Sequence, residues 1–529
     1  MYRRILLHLA GVALLGCSFQ NDAAEQGRAV DVDLLAGAAP QYSTDGGETF
    51  STQPPSIAPR DRATVTIGFE FNGTTAPATD ADEVASLTVS HDVTTALRSL
   101  RLELNGQDVP LPLEGMRYRT VPGIDPGWLQ PGANRLIVEL EVRNASRDSA
   151  WVFAPAITLA ALRSSDVEFQ TGPLLGAFGE DFFTLTARTN MPATVAVYRL
   201  EAGQLPERFE TLEPLAQTRL GLLHRLRVPR GRPGVSGSYA VVAERDGFHA
   251  SRIIEPPSAP QGAFRFVAVG DSRTHVEDWH AVATAVAGAN PRLLIHVGDI
   301  VTDGRRDWEW DAQFWDPGEI LLAHTPSYLV IGNHEQNAAL YDELAFSPSQ
   351  DGRSRNWAQE LGGVLLIGID GGQDWSSGSA NAAWLEEILS GSDARFTFLF
   401  NHYPGWSSAT HGRLDEEGHP VERPVREARE VIVPILGRYG ATGFVAGHDH
   451  DYERSELPTG VTAITCGGGG APLYRPTDQA EIQNPYSQVF FDRHHFCLFE
   501  VESDKITLRA LTPAGELLDT RQWDARDPD

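Results

Sequence analysis

The chain is poor in cysteine and in positive charge. Its 529 residues include three cysteines, and none of them lies in a CxxC pair of the kind that binds zinc. Metal chemistry in this protein would therefore have to use His, Asp and Asn side chains. The 43 basic residues are outnumbered by 71 acidic ones, which gives a formal net charge of −28. This surplus argues against nucleic acid as a partner, because an acidic surface repels phosphate backbones.

A long apolar run is also missing beyond the N-terminus, so no later segment qualifies as a transmembrane helix. The first residues, MYRRILLHLAGVALLGC, join Arg3 and Arg4 to an apolar run too short to anchor stably across a bilayer, which is typical of an export signal. The ending LLGC resembles the bacterial lipobox, in which the chain is cut before the cysteine and the cysteine is lipidated. The resemblance implies a signal peptide at 1–16 and membrane contact only through a lipidated Cys17. An ordinary secretory signal with a stray cysteine is the alternative.

The residue after Cys17 is Ser18, which resembles the outer-membrane sorting pattern of lipoproteins. We therefore expect an exported protein, lipid-anchored at the bacterial outer membrane on its periplasmic or cell-surface side. Export removes the chain from the reducing cytosol, so Cys466 and Cys497, each inside a strand-like run, could form a disulfide. Two buried free thiols are the alternative.

The chain divides into an all-β N-terminal part and a C-terminal part in which strands alternate with helices. Residues 17–40 are small and polar and suit a flexible tether. Short strand-like runs separated by Gly, Asn and Pro turns predict a β-sandwich over 41–164 and a second β domain over 165–256. No catalytic pattern occurs in the sandwich, so its role is unknown, and a glycan or another protein is its candidate ligand.

The pattern changes in the C-terminal part, which we place at 262–529. FRFVAVGD and RLLIHVGD predict buried strands, and DWHAVATAVAGAN predicts a helix between them. Strands that alternate with helices indicate an α/β domain. Twelve of the sixteen histidines lie from Phe264 onward, so the chemistry is expected in this domain.

Five predicted strands of this domain end in residue types that bind metals. The residues at these ends are Asp271, Asp299, Asn333 with His334, His402, and the GHDH stretch that contains His448 and His450. In open α/β sheets, side chains beyond the carboxyl ends of the strands converge. Imidazole suits Mn, Fe and Zn, a carboxylate can bridge two cations, and an Asn carbonyl adds a hard oxygen. One such turn is more often structural, whereas five in this order predict a metal site.

These motifs carry a family resemblance. GD at 270, GDIVTDG at 298, GNHE at 332, NHYP at 401 and GHDH at 447 resemble the motifs of calcineurin-like metallophosphoesterases. GHDHDYER, with CGGGGAPLY downstream, resembles purple acid phosphatases in particular, and the second β region resembles their fibronectin III-like N-terminal domain. The resemblance implies a multidomain chain in which N-terminal β-sandwich domains precede an α/β metallophosphoesterase domain of two mixed sheets flanked by helices.

Carried over position by position, the resemblance implies two cations bridged by Asp299. The first cation would take Asp271, Asp299 and His450, and the second would take Asp299, Asn333, His402 and His448. Two cations about 3.5 to 4 Å apart can share a hydroxide that attacks phosphorus, and they neutralise the charge that develops. Their charge would let an acidic protein hold a small phosphorylated substrate.

Two further histidines are candidates for contact with that substrate. By resemblance, His334 would bind phosphate or protonate the leaving oxygen, and imidazole has a suitable pKa for that transfer. His411, in the segment SSATHG, is a second candidate for the same role. The alternative for His411 is a solvated loop histidine.

Two positions depart from the family pattern. Purple acid phosphatases have a tyrosine three residues after the bridging Asp, where this chain has Thr302, so we expect Fe, Mn or Zn without purple colour. Many relatives have a histidine two residues after the first Asp, where this chain has Arg273. Arginine stays protonated and cannot be an ordinary ligand, so it would grip a phosphate oxygen or pair with a nearby acid. His275 or His280 could replace the missing ligand.

The function expected from these observations is that of an exported phosphomonoesterase of the acid phosphatase type. A phosphodiesterase acting on cyclic nucleotides or phospholipid headgroups is the second hypothesis, since the same metal pair serves both reactions. A surface binding protein whose metal site has degraded at Arg273 is the third. Metal analysis and a comparison of mono- and diester substrates distinguish the three.

Overall fold

The computed structural model describes most of the chain between residues 32 and 525. Within that span it leaves out 34, 36–37, 59–60, 74–82, 91–94, 109–119, 125–127, 145–150, 153–155, 201–211, 231–236, 261, 306–308, 346–347 and 349–354. The predicted signal peptide, Cys17 and most of the predicted tether lie outside the described residues and stay predictions.

Antiparallel sheets make up the described part of residues 32–163. One five-stranded sheet has the order Gln41–Ser43, Arg62–Gly73, Gly132–Asn144, Thr95–Leu104 and Gln107–Asp108. A four-stranded sheet has the order Val32–Asp33, Ala156–Arg163, Glu83–Ser90 and Thr120–Ile124, and a two-stranded sheet pairs Trp151–Val152 with Ser56–Ile57. Val65, Ile67 and Phe69 of one strand are buried, and so are Thr66 and Gly68 between them, so both faces of this stretch are covered. The region is sheet-rich as predicted, and its arrangement as a sandwich stays a prediction.

A six-stranded antiparallel sheet follows between residues 169 and 254. Its long central strand, Phe182–Arg199, pairs with Phe169–Phe178, Ala216–Gln217, Gly221–Pro229 and Tyr239–Arg245, and Phe248–Ile254 pairs with the last of these. The domain boundaries and the fibronectin III-like character of this region stay predictions.

The C-terminal part contains two mixed sheets, as the resemblance implied. The first has the order Ser327–Leu329, Leu293–His296, Phe264–Val269, Phe496–Val501, Lys505–Leu511 and Leu517–Asp524, with its first three strands parallel. The second has the order Trp357–Leu361, Val364–Gly368, Phe396–Phe400, Gly443–Ala446, Thr462–Cys466, Tyr452–Glu456 and Ser487–Phe491, with the second to fifth strands parallel.

Helices cover the outer faces of both sheets. The described α-helices are Val276–Ala289, Asp316–Leu322, Ala339–Leu344, Ala380–Ser390, Arg423–Glu427, Val433–Arg438 and Ala480–Gln483. π-Helical turns at Trp310–Trp315 and Ala428–Ile432 directly precede two of them, and 3-10 turns occur at Thr410–Gly412 and, in the N-terminal part, at Ser164–Asp166. Trp279 and Val282 of the first helix pack against Val267 and Val269 of the first sheet. Among the described residues, no helix combines the length and the apolar character needed to cross a membrane.

The main core lies between the two sheets. Phe266 stacks on Phe499 with ring centroids 4.5 Å apart, and Phe398 of the second sheet meets Phe499 edge-on at 5.3 Å. Both sheets are buried on two faces, which explains why strands such as FRFVAV and FTFLF read as nearly continuous apolar runs. Packing of this kind fixes the strand ends, and with them the residues that follow.

The two cysteines lie in this core as free thiols. Cys466 is on the second sheet and Cys497 on the first, and both side chains are buried. The thiol of Cys466 donates to the carbonyl of Ala268 at 3.1 Å. Of the two alternatives drawn from the sequence, the structure shows the pair of buried thiols rather than the disulfide.

Candidate metal centre

The backbone is strained at three of the predicted ligands. Asp271, Asp299 and His448 have φ angles of 59°, 54° and 70°, in the left-handed region that non-glycine residues rarely adopt. Such strain clusters at functional sites, where the surrounding fold over-determines the conformation. The glycines beside them allow close approach, since a Cβ at Gly332 would lie 2.4 Å from Asp299 Oδ1, and one at Gly447 would lie 2.4 Å from Asp271 Oδ2.

The protonation of His402 is fixed by the strand next to it. Its Nδ1 donates to the carbonyl of Val297 at 2.9 Å, and the side chain is fully buried. In a neutral ring, Nε2 is then left with a lone pair. This lone pair faces the cluster, 3.0 Å from Asn333 Oδ1 and 3.2 Å from Asp299 Oδ1.

His448 is held in the opposite tautomer by a carboxylate. Its Nε2 donates to Glu422 Oε2 at 2.9 Å, so Nδ1 carries the lone pair. That Nδ1 lies 3.1 Å from His402 Nε2. Burial lowers the pKa of His448 to about 3, which keeps the ring neutral and able to bind a metal.

Four acceptors therefore converge with no proton between them. They are the lone pairs of His402 Nε2 and His448 Nδ1 and the oxygens of Asn333 and Asp299. Groups of this kind repel when they are buried together, and a cation removes the repulsion by accepting all four lone pairs. The predicted second position thus fits a metal ion.

The first position differs because a guanidinium lies within it. Arg273 donates from Nε to Asp299 Oδ2 at 3.2 Å and from its terminal Nη2 to His450 Nε2 at 3.3 Å. His450 can accept this bond because its Nδ1 donates to the carbonyl of Pro472 at 2.7 Å. Burial and then the charge of Arg273 lower the pKa of His450 to about 4.

Asp271 completes the first set of predicted ligands. Its Oδ2 accepts from the backbone N–H of His448 at 3.0 Å, while its buried Oδ1 accepts no hydrogen bond from the described residues. Oδ1 lies 3.5 Å from His450 Nε2. The three residues do meet as predicted, and Arg273 is bound to two of them in this arrangement, so the first position as it stands holds a guanidinium, while the number of cations stays a prediction.

The candidates for the missing ligand lie elsewhere. His275 begins the helix Val276–Ala289, is half exposed, and has its Nδ1 3.4 Å from Asp278. His280 on the same helix is exposed and bonds to the carbonyl of Pro317 at 2.8 Å. The structure brings neither ring to the cluster, whereas it gives Arg273 the second of its predicted roles, that of partner to an acid.

Thr302, at the position of the family tyrosine, also turns away from the cluster. Its N–H and its hydroxyl both donate to Gln313 Oε1, at 3.0 and 2.9 Å. The residue therefore holds the loop after Asp299 rather than offering a ligand.

His334 and His411 lie at the mouth of the site, with side chains 27% and 23% exposed. The Nδ1 of His334 donates to the carbonyl of Thr302 at 2.8 Å, and its Nε2 lies 3.8 Å from Asp299 Oδ2. Burial lowers the pKa of His334. His411 contacts Glu422 Oε1 at 2.5 Å, and its ring lies over that of His448 with centroids 3.8 Å apart. Both predicted histidines therefore belong to the site, and His411 is not a solvated loop residue.

The pKa values of these two histidines move in opposite directions. Burial alone would lower the pKa of His411, but the hydrogen bond to Glu422 and the charge of Asp449 raise it overall. The protonated form is thus favoured at His411 and the neutral form at His334.

Two carboxylates of the site have no place in the sequence argument. Glu422 joins His448 to His411, and Glu335 accepts from the N–H groups of Asp299, Ile300 and Gly332 at 3.0, 2.8 and 2.6 Å. Burial and the charge of Asp299 raise the pKa of Glu335 to about 8. Glu335 ends the GNHE motif, which was a usable signal, whereas Glu422 lies in a loop without any motif.

Comparison with known families finds a match over the residues that carry this site. Residues 264–452 match the model of the calcineurin-like phosphoesterase family. Among curated proteins, tartrate-resistant acid phosphatase type 5 of Homo sapiens is 26% identical over 317 residues, which cover 50% of this chain and 92% of that protein. The Rattus norvegicus protein is 22% identical over 307 residues, covering 49% of this chain and 90% of its own.

Solved structures extend the likeness toward the N-terminus. Purple acid phosphatase PPD1 from yellow lupin (Lupinus luteus) seeds has a TM-score of 0.56 and 15% identity, covering 87% of this chain and 93% of its own. A structure of PhoD has a TM-score of 0.50 and 12% identity, and the match covers 68% of this chain and 91% of the PhoD chain. At these identities the likeness is one of fold. The family resemblance read from the motifs is confirmed.

Proposed function

We propose that this chain is an exported, metal-dependent phosphomonoesterase of the acid phosphatase type, since residues 264–452 match the model of the calcineurin-like phosphoesterase family. The domain and its acid phosphatase relatives make the chain a metal-dependent phosphoester hydrolase. The preference for monoesters follows the curated relatives, whose names describe acid phosphatases. Export and attachment through Cys17 are proposed from the sequence of the N-terminus alone.

The observation that carries the proposal is the convergence of four unprotonated acceptors at the second position. Asp299, Asn333, His402 and His448 would hold the metal there. When bound, the ion would supply Lewis-acid stabilisation of the negative charge that develops on the phosphoryl oxygens. Its charge would also attract an anionic substrate into an acidic protein.

Neighbouring residues of the protein fix the tautomers and positions of these ligands. The carbonyl of Val297 and the carboxylate of Glu422 hold His402 and His448 in the tautomers that direct lone pairs inward. Such outer partners orient ligands and raise their basicity. Glu335 ties down the backbone that carries Asp299, so the ligand is positioned before any substrate arrives.

The two histidines at the mouth would divide the work on the substrate. His411, whose protonated form is favoured by Glu422, would donate a proton to the leaving oxygen. His334, whose Nδ1 proton is engaged by Thr302, would meet a phosphate oxygen through Nε2 when that atom is protonated. Arg273 has N–H groups left for the same anion.

Hydrolysis of p-nitrophenyl phosphate tests the proposal. Protein loaded with Mn²⁺, Fe²⁺ or Zn²⁺ is expected to hydrolyse it, and removal of the ion by a chelator or the change Asp299→Asn should abolish the reaction. Bis-p-nitrophenyl phosphate, run in parallel, separates a monoesterase from the diesterase alternative. Loaded protein that cleaves neither ester would contradict the proposal and leave the surface binding protein as the better reading.

A further inference from the structure

We infer that this domain works with a single metal ion and that the guanidinium of Arg273 takes the place of the second cation. The inference rests on the proposed function, since it concerns the charge that stabilises a phosphoryl group in that same site. It starts from the contacts that Arg273 makes with two of the ligands predicted for the first position.

Arg273 occupies the first position through its hydrogen bonds. It binds Asp299 Oδ2 at 3.2 Å and His450 Nε2 at 3.3 Å, and its side chain is 13% exposed. Both acceptor atoms are the ones that a cation at the first position would need. Because arginine stays protonated in proteins, it cannot donate a lone pair, and its charge repels any cation placed between the same two atoms.

The tautomer of His450 agrees with this arrangement. Its Nδ1 proton goes to the carbonyl of Pro472 at 2.7 Å, which leaves Nε2 as an acceptor for Arg273. The ring of Tyr474 stacks on that of His450 with centroids 4.1 Å apart. His450 is thus fixed in place as a partner for a donor.

The side chains at the positions considered for the missing ligand are engaged elsewhere. Thr302 is bonded to Gln313, His275 contacts Asp278, and His280 bonds to Pro317. Of the predicted first set, Asp271 Oδ1 is the ligand atom that accepts no hydrogen bond from the described residues, and a carboxylate oxygen of Asp271 lies within 4.8 Å of ligand atoms of Asp299 and His402. While Arg273 holds Asp299 Oδ2 and His450 Nε2, this oxygen is the single ligand left from the predicted first set, and one ligand falls short of the three or more that hold a transition metal.

The guanidinium keeps capacity for the substrate after these bonds are made. Arginine has five N–H groups. Arg273 uses three of them here, one each in its hydrogen bonds to Asp299, His450 and Thr274. The remaining two point from the terminal nitrogens and suit an oxygen of a phosphoryl group. A fixed positive charge then stands beside Asp299 on the side opposite the proposed metal.

Counting bound Mn²⁺ tests the inference. The full chain is stripped with a chelator, reloaded with Mn²⁺, freed of excess ion, and assayed by elemental analysis and electron paramagnetic resonance. Wild-type protein should hold one ion per chain with the six-line spectrum of isolated Mn²⁺. Arg273→His, which removes the guanidinium and adds an imidazole, should hold two ions per chain with the spectrum of a coupled pair.

Controls separate folding from binding. Arg265→His changes an exposed arginine that pairs with Glu500 away from the site, so it should leave the count at one. Arg273→Gln, which removes the charge with less change in shape, should weaken inhibition by inorganic phosphate even if Arg273→His does not fold.

Each outcome decides between the two proposals. Two coupled ions in wild-type protein that hydrolyses p-nitrophenyl phosphate would overturn the single-ion inference and leave the proposed function standing. One ion in both wild-type and folded Arg273→His would overturn the role given to Arg273, as would unchanged phosphate inhibition in Arg273→Gln. No ion and no hydrolysis in the wild type would remove both proposals.

Discussion

Two groups of buried histidines show how a structural residue differs from a functional one. His224, in the sheet between residues 169 and 254, is fully buried with its ring nitrogens 3.1 Å from Thr189 Oγ1 and 2.9 Å from Thr218 Oγ1. His402 is equally enclosed and His448 is also buried, but each has a ring nitrogen that faces only other acceptors.

Burial and pKa alone do not separate the two groups. Burial lowers the pKa of His224 to about 4 and that of His448 to about 3. The difference lies in the partners, because a threonine hydroxyl can donate or accept, whereas an imidazole lone pair and a carbonyl oxygen can only accept. The first group is complete as a neutral network, and the second requires a cation.

The largest effect is expected at His402. His402→Ala removes a nitrogen ligand, and hydrolysis of p-nitrophenyl phosphate should fall on the order of 1,000-fold, since a metal supplies several kcal/mol of transition-state stabilisation. Steady-state kinetics on reloaded protein measures it. His224→Gln is the matched change in the other group, and an equal loss of kcat there would remove the distinction between the groups.

The next effect concerns the proton for the leaving oxygen. His411→Asn should lower kcat by about 100-fold for phenyl phosphate, because its phenoxide is a poor leaving group and general acid catalysis contributes a factor of about 10² to 10⁴ to the rate. The loss should be much smaller for p-nitrophenyl phosphate, whose leaving group needs little protonation. Equal losses for both substrates would show that His411 only positions His448.

The dependence of the free energy of unfolding on pH should reveal the contribution of His224. Its pKa in the folded chain, about 4, is below the ordinary value of about 6.5, so the unfolded chain binds the proton more tightly. Stability is therefore full above the ordinary value and falls as the pH decreases toward the folded value. The free energy of unfolding should drop by about 2 kcal/mol from this residue between about pH 7 and about pH 4.5.

Urea denaturation of wild-type and His224→Gln protein at the two pH values measures that contribution. The variant should lose less stability on acidification than the wild type. Parallel losses in the two proteins would show that His224 is protonated inside the fold, contrary to its hydrogen bonds with two hydroxyls.

The smallest effect is expected at Glu422, which acts through His448. Glu422→Gln should weaken metal binding by about tenfold, since loss of an outer partner typically costs 10- to 100-fold in affinity. Titration with Mn²⁺ measures the change. Glu430→Gln is the control, because Glu430 also pairs with a histidine, His419 at 2.5 Å, but on an exposed surface. Weakening by both variants alike would indicate a general charge effect.

Much of the site could be predicted from the sequence because its residues follow strands. The strand Phe264–Val269 ends directly before Gly270 and Asp271, and Gly443–Ala446 ends directly before Gly447 and His448. Strand ends of parallel sheets converge by construction, so local patterns were enough to place these residues together.

The remaining features depend on contacts between distant parts of the chain. Arg273 meets His450, 177 positions away, and the sequence left open whether it would hold phosphate or an acid. Glu422 reaches His448 from a loop with no pattern of its own. The choice between a disulfide and two thiols likewise depended on how the two sheets stack, which no local pattern encodes.

The metal content of purified protein tests the central claim most directly. After reloading with Mn²⁺ and removal of excess ion, elemental analysis of the wild type and of His224→Gln should find a tightly bound ion in each chain, and His402→Ala should retain almost none. A His402→Ala protein that is folded and holds as much metal as the wild type would contradict the account, because the converging lone pairs would then not be what binds the ion.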